Sequence, residues 1–376
     1  MPSMILADTF YTNFLLNLEQ NLNSEGTFEE ARMVAFGSGF GTTGSLSESF
    51  DDLNWETFPV VLNSRFIQNL WRIENGFRQT LNSGWNYGPR IARMEYGLPF
   101  SLAVSHLHST FYKQVKLLKP DVLLVQDLNL FSPPQIQALK RHCKLLIGEI
   151  ASPLPPNRFL RGYDLVFSAL PPNVDKFRSM GVEAYYLPLG FDSRLIDKFP
   201  LVERDIDVVF IGSVGKLWDT IELLKAVAEH VPALQIYGPI SRELLHEAGL
   251  LGNYHGQAWG NKMFEIFSRS KIVLNRHGAI VKNFAGNMRM YEATGMGCVL
   301  LSEANDFVNQ LFIQGQEIVT YTNYDNAGQT AASLLENPEK LKMIGEAGKH
   351  KTLTSHLYTH RADFMNQRII EKLESL

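Results

Sequence analysis

The chain has 376 residues, of which 45% are hydrophobic and 20% charged, and its formal net charge is −4. This length and composition predict a globular protein with two domains, and the dispersed, nearly balanced charge excludes a nucleic-acid-binding protein. No apolar run is long enough for a transmembrane segment, and residues 1–20 lack the pattern of a secretory leader. Two widely separated cysteines indicate a reducing compartment. We therefore expect a cytoplasmic protein. This expectation is compatible with peripheral contact between the protein and a membrane.

The first half of the chain alternates between strand-like and helix-like patterns. Residues 10–30 have the pattern of an added amphipathic helical arm. Short apolar runs predict strands at residues 31–36, 58–62, 121–126, 144–148, 164–168 and 184–187.

A glycine-rich segment, residues 37–44, follows the first of these predicted strands and contains a formal G-x-G-x-x-G. A dinucleotide-binding fingerprint also needs an acidic residue about twenty positions further on. Residues 62–65 read Leu-Asn-Ser-Arg at that place, which argues against a dehydrogenase. Two interpretations remain, a loop whose backbone approaches an acceptor or a phosphate, and a flexible loop of small residues.

Two carboxylates follow predicted strands of the first half. Asp127 comes after the apolar run 122–124, and Glu149 ends the run 145–148. A carboxylate at the carboxyl end of a strand can act as a general base if its surroundings bring its pKa near the working pH. Asp127 is the first candidate and Glu149 the second, and the alternative for Asp127 is a turn-stabilising or helix-capping role.

The strand pattern restarts at residues 205–212 and continues at 233–237, 271–274, 298–301 and 317–321, before helical segments fill residues 338–376. We expect a Rossmann-like N-terminal domain with its helical arm at 1–190, a linker at 191–204, and a second Rossmann-like domain at 205–376. The last helix can pack back on the first domain. The predicted fold is thus α/β, with two doubly wound domains facing each other across a cleft.

Two loops of the second half are candidates for binding a nucleotide. Gly212 and Ser213 end the strand 205–212, where bare backbone N–H groups can contact a diphosphate. The loop is too short for a P-loop, and it can also be a plain turn. Trp259 lies in a glycine-flanked aromatic segment and can stack on a nucleotide base, with a core-capping role as the alternative.

Polar residues follow the strand 271–274. Asn275, Arg276 and His277 come where that strand emerges, and ligands of open α/β sheets bind at such carboxyl ends. His277 is a candidate contact for phosphate or for the transferred sugar.

A helix start follows these residues. Asn287 and Met288 are expected to open it, with free N–H groups that can face an anion. Arg289 can bind a diphosphate, and Glu292, one turn deeper, can accept hydrogen bonds from ribose hydroxyls. The alternative is an ordinary amphipathic helix on which Arg289 and Glu292 form a surface ion pair.

These segments resemble the spore-maturation-type glycosyltransferases, a bacterial branch of the glycosyltransferases with the GT-B fold. In the second half the resemblance lies in Trp259-Gly260, residues 274–277, 287–295 and 356–361, and in the first half in residues 63–71 and 126–131. It implies an enzyme that transfers a hexosyl or related group from a nucleotide sugar, bound by the second domain, to an acceptor bound by the first. The acceptor would be a glycan, a lipid-linked molecule or a protein, and neither a cofactor nor a metal ion would be required.

The sequence departs from this family at one position. Many retaining relatives carry Glu-x7-Glu, and Glu292 matches the second glutamate, whereas Phe284 occupies the place of the first. His277 can replace the missing group, and retention and inversion both stay open. Two other functions also remain, a nucleotide-sugar epimerase of the same fold and a non-catalytic protein that binds nucleotide sugars.

Overall fold

The computed structural model of the protein describes residues 1–77, 100–152, 154–157, 160–200, 202–214, 219–277, 284 and 287–376, with only the backbone at 100–108. The chain forms two compact units, the first made of Met1–Leu187 and Ala362–Leu376 and the second of Pro188–Arg361. Each unit has helices packed around its own parallel sheet. This is the predicted α/β class with two doubly wound domains.

The first unit is built on a six-stranded sheet. Its strands are β1 (Ser3–Asp8), β2 (Glu56–Val61), β3 (Val122–Val125), β4 (Leu145–Ile150), β5 (Leu165–Ser168) and β6 (Glu183–Tyr186). They are all parallel and lie in the order β2-β1-β3-β4-β5-β6. Every residue of β3, β4 and β5 is buried, as expected for central strands of a parallel sheet covered on both faces.

Helices cover this sheet and include the C-terminal one. The Trp55 Nε1 donates a hydrogen bond to Asn366 Oδ1 at 2.8 Å, which attaches the last helix to the first unit. The described helices are α1 (Thr12–Gln20), α2 (Phe28–Phe36), α3 (Thr43–Asp52), α4 (Arg65–Glu74), α5 (Phe100–Leu118), α6 (Pro133–Lys140), α7 (Pro171–Ser179) and, at the end of the chain, α16 (Tyr358–Glu374).

The N-terminal region differs from the sequence-based expectation. Residues 31–36 form part of helix α2 and not a strand, because Thr27 and Glu30 make a reciprocal capping box that starts the helix. The predicted helical arm contains α1, but it is preceded by β1, which lies in the interior of the sheet between β2 and β3. The glycine-rich segment 37–44 therefore follows a helix, so the G-x-G-x-x-G spacing has no strand before it.

The second unit is built on a five-stranded sheet. Its strands are β7 (Ile206–Ile211), β8 (Gln235–Tyr237), β9 (Ser270–Asn275), β10 (Val299–Glu303) and β11 (Val319–Tyr321). They are parallel and lie in the order β11-β10-β9-β7-β8, so the chain moves in opposite directions from β7 to reach β8 and β9. All five strands were predicted from the sequence. The boundary between β7 and β9 is a topological switch point, where open α/β sheets bind ligands.

The second unit also carries its own helices, and the aromatic and aliphatic side chains between them and the sheet form its core. No helix in the described ranges combines the length and apolarity needed to cross a membrane. The helices are α8 (Arg194–Lys198), α9 (Thr220–His230), α10 (Arg242–Glu247), α11 (Asn261–Arg269), α12 (Arg289–Gly295), α13 (Val308–Leu311), α14 (Tyr324–Leu335) and α15 (Pro338–Ser355).

Candidate functional site

The carboxyl end of β9 carries a network of buried polar side chains. The Asn287 Nδ2 donates to Asn275 Oδ1 at 2.9 Å and to the Arg276 carbonyl at 3.1 Å. The Asn275 Nδ2 in turn donates to Ser302 Oγ at 2.9 Å, and the Tyr321 hydroxyl donates to the Asn275 carbonyl at 3.0 Å. The segment before α12 is thereby tied to the ends of β9 and β10. The structure thus brings Asn275, Arg276 and Asn287 together.

His277 extends this network into the protein interior. Its side chain is only 6% exposed, and burial lowers its pKa to about 4, so the ring is neutral at pH 7. Its Nε2 lies 3.2 Å from Ser302 Oγ. Ser302 is fully buried, and among the described residues His277 Nε2 is the acceptor within reach of its hydroxyl proton, so we assign Ser302 as the donor and place the imidazole proton on Nδ1. The backbone N–H of His277 donates to Glu303 Oε2 at 3.3 Å.

Three buried atoms in this region have no hydrogen-bond partner among the described residues, namely His277 Nδ1, Asn287 Oδ1 and Arg276 Nε. A buried polar atom without a partner costs roughly 1–3 kcal/mol. Buried polar groups in native proteins are nearly always paired with protein, water or a ligand. Three such atoms lie within one short stretch of the carboxyl edge, where each could bind a polar group.

Arg276 carries positive charge to the switch point. One guanidinium nitrogen donates to Thr220 Oγ1 at 2.8 Å, and the group lies 5.8 Å from the centre of the Tyr324 ring. Asp219 is 3.9 Å away and its side chain is largely exposed. Since Thr220 begins α9, the helix that follows the β7 loop, Arg276 reaches from β9 toward the loop of β7.

The β7 loop is held against the neighbouring strand β8. Gly212 N donates to the Tyr237 carbonyl at 3.0 Å. Gly238 has φ +141°, and a methyl group there would lie 1.9 Å from the Gly212 carbonyl oxygen, so only glycine fits. Ser213 is exposed. The remainder of the predicted loop, residues 215 and 216, lies outside the described residues.

The segment that contains Trp259 is hydrogen-bonded to Gly238, the residue that packs against this loop. The Tyr254 hydroxyl donates to the Gly238 carbonyl at 2.8 Å, and Gly238 N donates to the Gly256 carbonyl at 2.9 Å. Trp259 is half-buried, and its Nε1 donates to Gln257 Oε1 at 3.0 Å. The two loops predicted to bind the nucleotide are therefore joined through Gly238.

Arg289 and Glu292 form an ion pair, but Glu292 is buried, so it is not the surface pair that the sequence left as an alternative. The Arg289 guanidinium lies 2.6 Å from Glu292 Oε2, contacts Met263 Sδ, and sits 5.3 Å from the centre of the Phe267 ring. Burial raises the pKa of the Glu292 carboxyl, and the charge of Arg289 opposes this rise. Arg289 thus packs on α11, and Glu292 is buried beneath it. The helix begins at Arg289, two residues after Asn287, with half-buried Met288 before it.

In the first unit, three carboxylates lie at the carboxyl ends of β1, β3 and β4. Asp127 Oδ2 accepts from Thr9 Oγ1 at 3.1 Å, and its Oδ1 accepts from the Asn129 N–H at 3.0 Å, which is the turn-stabilising role left open for it. Glu149 is 7% exposed and accepts a hydrogen bond from Gln126 Nε2.

The third carboxylate, Asp8, was missed from the sequence. It ends β1, beside the switch point between β1 and β3, and accepts from the Thr9 N–H and the Thr43 hydroxyl, both at 2.7 Å. A methyl group on Gly41, whose φ is +76°, would lie 3.6 Å from Asp8 Oδ2, so the glycine-rich segment packs over this carboxyl. The sequence signal for this carboxylate was the apolar run from Met4 to Ala7, which an acidic residue follows.

The hydrogen bonds of this cluster can all be formed with one proton on a carboxyl group. The Thr43 hydroxyl contacts both Asp8 Oδ2 and Gln126 Oε1, but it has one proton to donate. If it donates to Gln126, Asp8 must be protonated to complete its own bond to Thr43. If the Gln126 amide is turned over, Thr43 donates to Asp8, and Glu149 must carry the proton that bonds Gln126 Oε1. The proton lies on Asp8 in the first arrangement and on Glu149 in the second.

The electrostatics of the two carboxyl groups agree with this count. Burial raises the pKa of Asp8 to about 6, with a smaller contribution from the charge of Asp127, against the lowering effect of its hydrogen bonds to Thr43 and Thr9. Burial also raises the pKa of Glu149 to about 7, an effect that the bond from Gln126 opposes and the charge of Asp8 enhances. The cluster can hold or accept a proton near neutral pH. Among the described residues, no three acidic, histidine or cysteine side chains are grouped to hold a metal ion.

Comparison with known proteins gives a consistent result. Residues 220–367 match a family described as glycosyl transferase-like. No curated protein sequence matches the chain.

Several solved structures have a similar fold. Sucrose-phosphate synthase from Thermosynechococcus elongatus is 12% identical, with a TM-score of 0.63 and 100% of both chains covered. A glycosyltransferase from Rickettsia africae is 11% identical, with a TM-score of 0.60 over 100% of this chain and 99% of that one. Anabaena HepE, in complex with UDP and glucose, is 12% identical, with a TM-score of 0.60 over 100% of both chains.

Proposed function

We propose that this chain, a glycosyltransferase of the GT-B fold with a glycosyl transferase-like domain at residues 220–367, binds its nucleotide-sugar donor at the switch point of the second unit. The observation that carries this site is the group of three buried atoms on Arg276, His277 and Asn287 that have no partner among the residues the structure describes. A nucleotide sugar offers hydroxyl and phosphate oxygens that satisfy such atoms. The solved complex of HepE with UDP and glucose supports the choice of ligand class.

Within this site we assign the diphosphate to the β7 loop and Arg276. Gly212 and Ser213 present backbone at the carboxyl end of β7, and Arg276 reaches the start of α9 beside them. Its guanidinium can stabilise the charge that grows on the leaving diphosphate, which commonly supplies a large part of the barrier reduction. With an arginine in this position we expect transfer to proceed without a metal ion.

The nucleoside is assigned to the remaining residues of the predicted donor site. Glu292 would accept hydrogen bonds from the ribose, and Arg289, in contact with it, would hold its carboxylate in place. Met288 precedes this helix, and Trp259 offers an aromatic face for the base. These roles come from the resemblance in sequence. They require that the ion pair between Arg289 and Glu292 breaks, or that the Glu292 carboxylate binds Arg289 and the ligand at the same time.

The acceptor is assigned to the first unit, where the carboxyl ends of β1, β3 and β4 carry Asp8, Asp127 and Glu149. In transfer, the acceptor oxygen forms a bond to the anomeric carbon while the bond to the diphosphate breaks with its electron pair. If the anomeric configuration is inverted, a carboxylate of this cluster takes the proton of the acceptor hydroxyl. If it is retained, no such protein base is needed. A glycan, a lipid-linked molecule or a protein remains the proposed acceptor.

Titration calorimetry with UDP, GDP, UDP-glucose and GDP-mannose tests the donor site. The Arg276→Ala variant should lose at least tenfold in affinity for the diphosphate that binds, because it removes a charged hydrogen-bonding group. Arg242→Ala is the matched control, since Arg242 lies exposed on α10 of the same unit. Equal affinities in the wild type and Arg276→Ala would contradict this placement. Conversion of the donor in the absence of an acceptor would favour an epimerase.

A further inference from the structure

The polar atoms next to Arg276 include both a hydrogen-bond donor and an acceptor. The hydrogen bond from Ser302 places a donor on His277 Nδ1, which is buried and has no partner among the described residues. The backbone N–H of the same residue binds Glu303 Oε2, so a carboxylate lies in contact with His277. Glu303 is the last residue of β10 and half-buried, and its other oxygen has no hydrogen bond to the described residues.

A carboxylate beside a neutral histidine selects the kind of ligand group that fits. A phosphate placed there would put two negative charges next to each other, whereas a hydroxyl can donate to Glu303 and accept from His277 Nδ1. Two neighbouring hydroxyl groups of a sugar present this donor and acceptor pattern. The pattern therefore suits the sugar of a donor and not its diphosphate.

Phe284 packs near the end of β10 and brings no polar group there. Its ring packs against Phe307 with ring centres 5.5 Å apart, and Phe307 belongs to the turn that follows Glu303. The apolar contact leaves residue 284 without a group that can bind a hydroxyl. The carboxylate at this end of β10 is supplied by Glu303.

We propose that Glu303 and His277 bind hydroxyl groups of the transferred sugar, and that Glu303 excludes donors whose sugar carries a carboxylate. This inference rests on the proposed donor site. It limits the substrate class to nucleotide sugars with a neutral sugar, and it makes Glu303 a specificity-determining residue that the sequence did not reveal.

The test compares ligands that share a nucleotide and differ in the sugar. The dissociation constants of UDP, UDP-glucose and UDP-glucuronate are measured by titration calorimetry for the wild type, Glu303→Gln and Glu336→Gln. If GDP binds more tightly than UDP, then GDP, GDP-mannose and GDP-mannuronate are used in the same way. Glu336→Gln is the control, because Glu336 is an exposed glutamate at the end of α14.

We expect the wild type to bind UDP-glucose at least tenfold more tightly than UDP-glucuronate. Glu303→Gln should weaken UDP-glucose binding about tenfold, because a hydrogen bond to a charged group is replaced by a neutral one, and should leave UDP binding unchanged. In Glu303→Gln, the ratio of UDP-glucose affinity to UDP-glucuronate affinity should therefore be smaller than in the wild type. Glu336→Gln should behave as the wild type.

Two results would overturn the inference while leaving the donor site intact. One is wild-type binding of UDP-glucuronate as tight as that of UDP-glucose. The other is a Glu303→Gln variant that keeps the wild-type affinities for all three ligands. Failure of the folded wild type to bind either UDP or GDP would instead overturn the donor site itself, and this inference with it.

Discussion

Replacing Glu149 by glutamine should make the stability of the protein less sensitive to rising pH. Burial raises the pKa of Glu149 to about 7 in the folded protein, compared with its ordinary value of 4.5. A folded state that holds a proton more tightly than the unfolded state loses stability as the pH rises from the unfolded pKa toward the folded pKa. The full difference corresponds to about 3.4 kcal/mol at 1.36 kcal/mol per pKa unit, of which about 2.5 kcal/mol falls between pH 5 and pH 8.

The glutamine variant keeps the shape of the protonated carboxyl and can donate to Gln126 through its amide. Urea unfolding of the wild type and Glu149→Gln at pH 5, 6, 7 and 8 measures the effect. We expect the stability of the variant, relative to the wild type, to rise by about 2.5 kcal/mol from pH 5 to pH 8. Glu25→Gln, at an exposed position of the same unit, should show no such rise. A stability difference that stays constant with pH would refute the raised pKa of Glu149.

Three further predictions concern the donor site and the glycine-rich segment. Gly238→Ala should displace the β7 loop, because its methyl group would lie 1.9 Å from the Gly212 carbonyl oxygen. Donor affinity measured by calorimetry should therefore fall at least tenfold. Unaltered affinity would show that the loop does not bind the donor. Chelation with EDTA should leave the initial rate of nucleoside diphosphate release unchanged, because Arg276 supplies the positive charge; activity restored only by added Mg²⁺ or Mn²⁺ would contradict this. Gly41→Ala, at φ +76°, should lower the free energy of unfolding by about 1 kcal/mol in urea titrations, and a variant as stable as the wild type would argue against the left-handed conformation there.

The second unit was predictable because its sequence signals are local. Each of its strands is an apolar run, and the polar residues of the proposed donor site begin at the end of one of them, where Asn275 is the last residue of β9. The partners of those residues were not predictable. Ser302 and Glu303 are separated from His277 by about 25 residues of sequence, and only the order of strands in the sheet places β9 beside β10.

The first unit was harder to predict, for physical reasons that the structure makes clear. β1 is a short apolar run at the very start of the chain, and only its parallel partners β2 and β3 identify it as an interior strand. Without β1, Asp8 could not be recognised as a residue at a switch point. The apolar segment 31–36 resembles a strand in composition, but the Thr27 capping box and helix packing determine its structure. Asp127 and Glu149 were found because each lies at the carboxyl end of a fully buried apolar run.

The most direct test of the proposed donor site is an experimental structure with a bound nucleotide sugar, beginning with UDP-glucose or GDP-mannose. We expect ligand oxygens within about 3 Å of Arg276 Nε and His277 Nδ1, the hydrogen-bonding distance for such groups. The sugar should lie at Glu303 and the diphosphate at the β7 loop. A ligand bound elsewhere, with these two nitrogen atoms still unpartnered, would contradict the account.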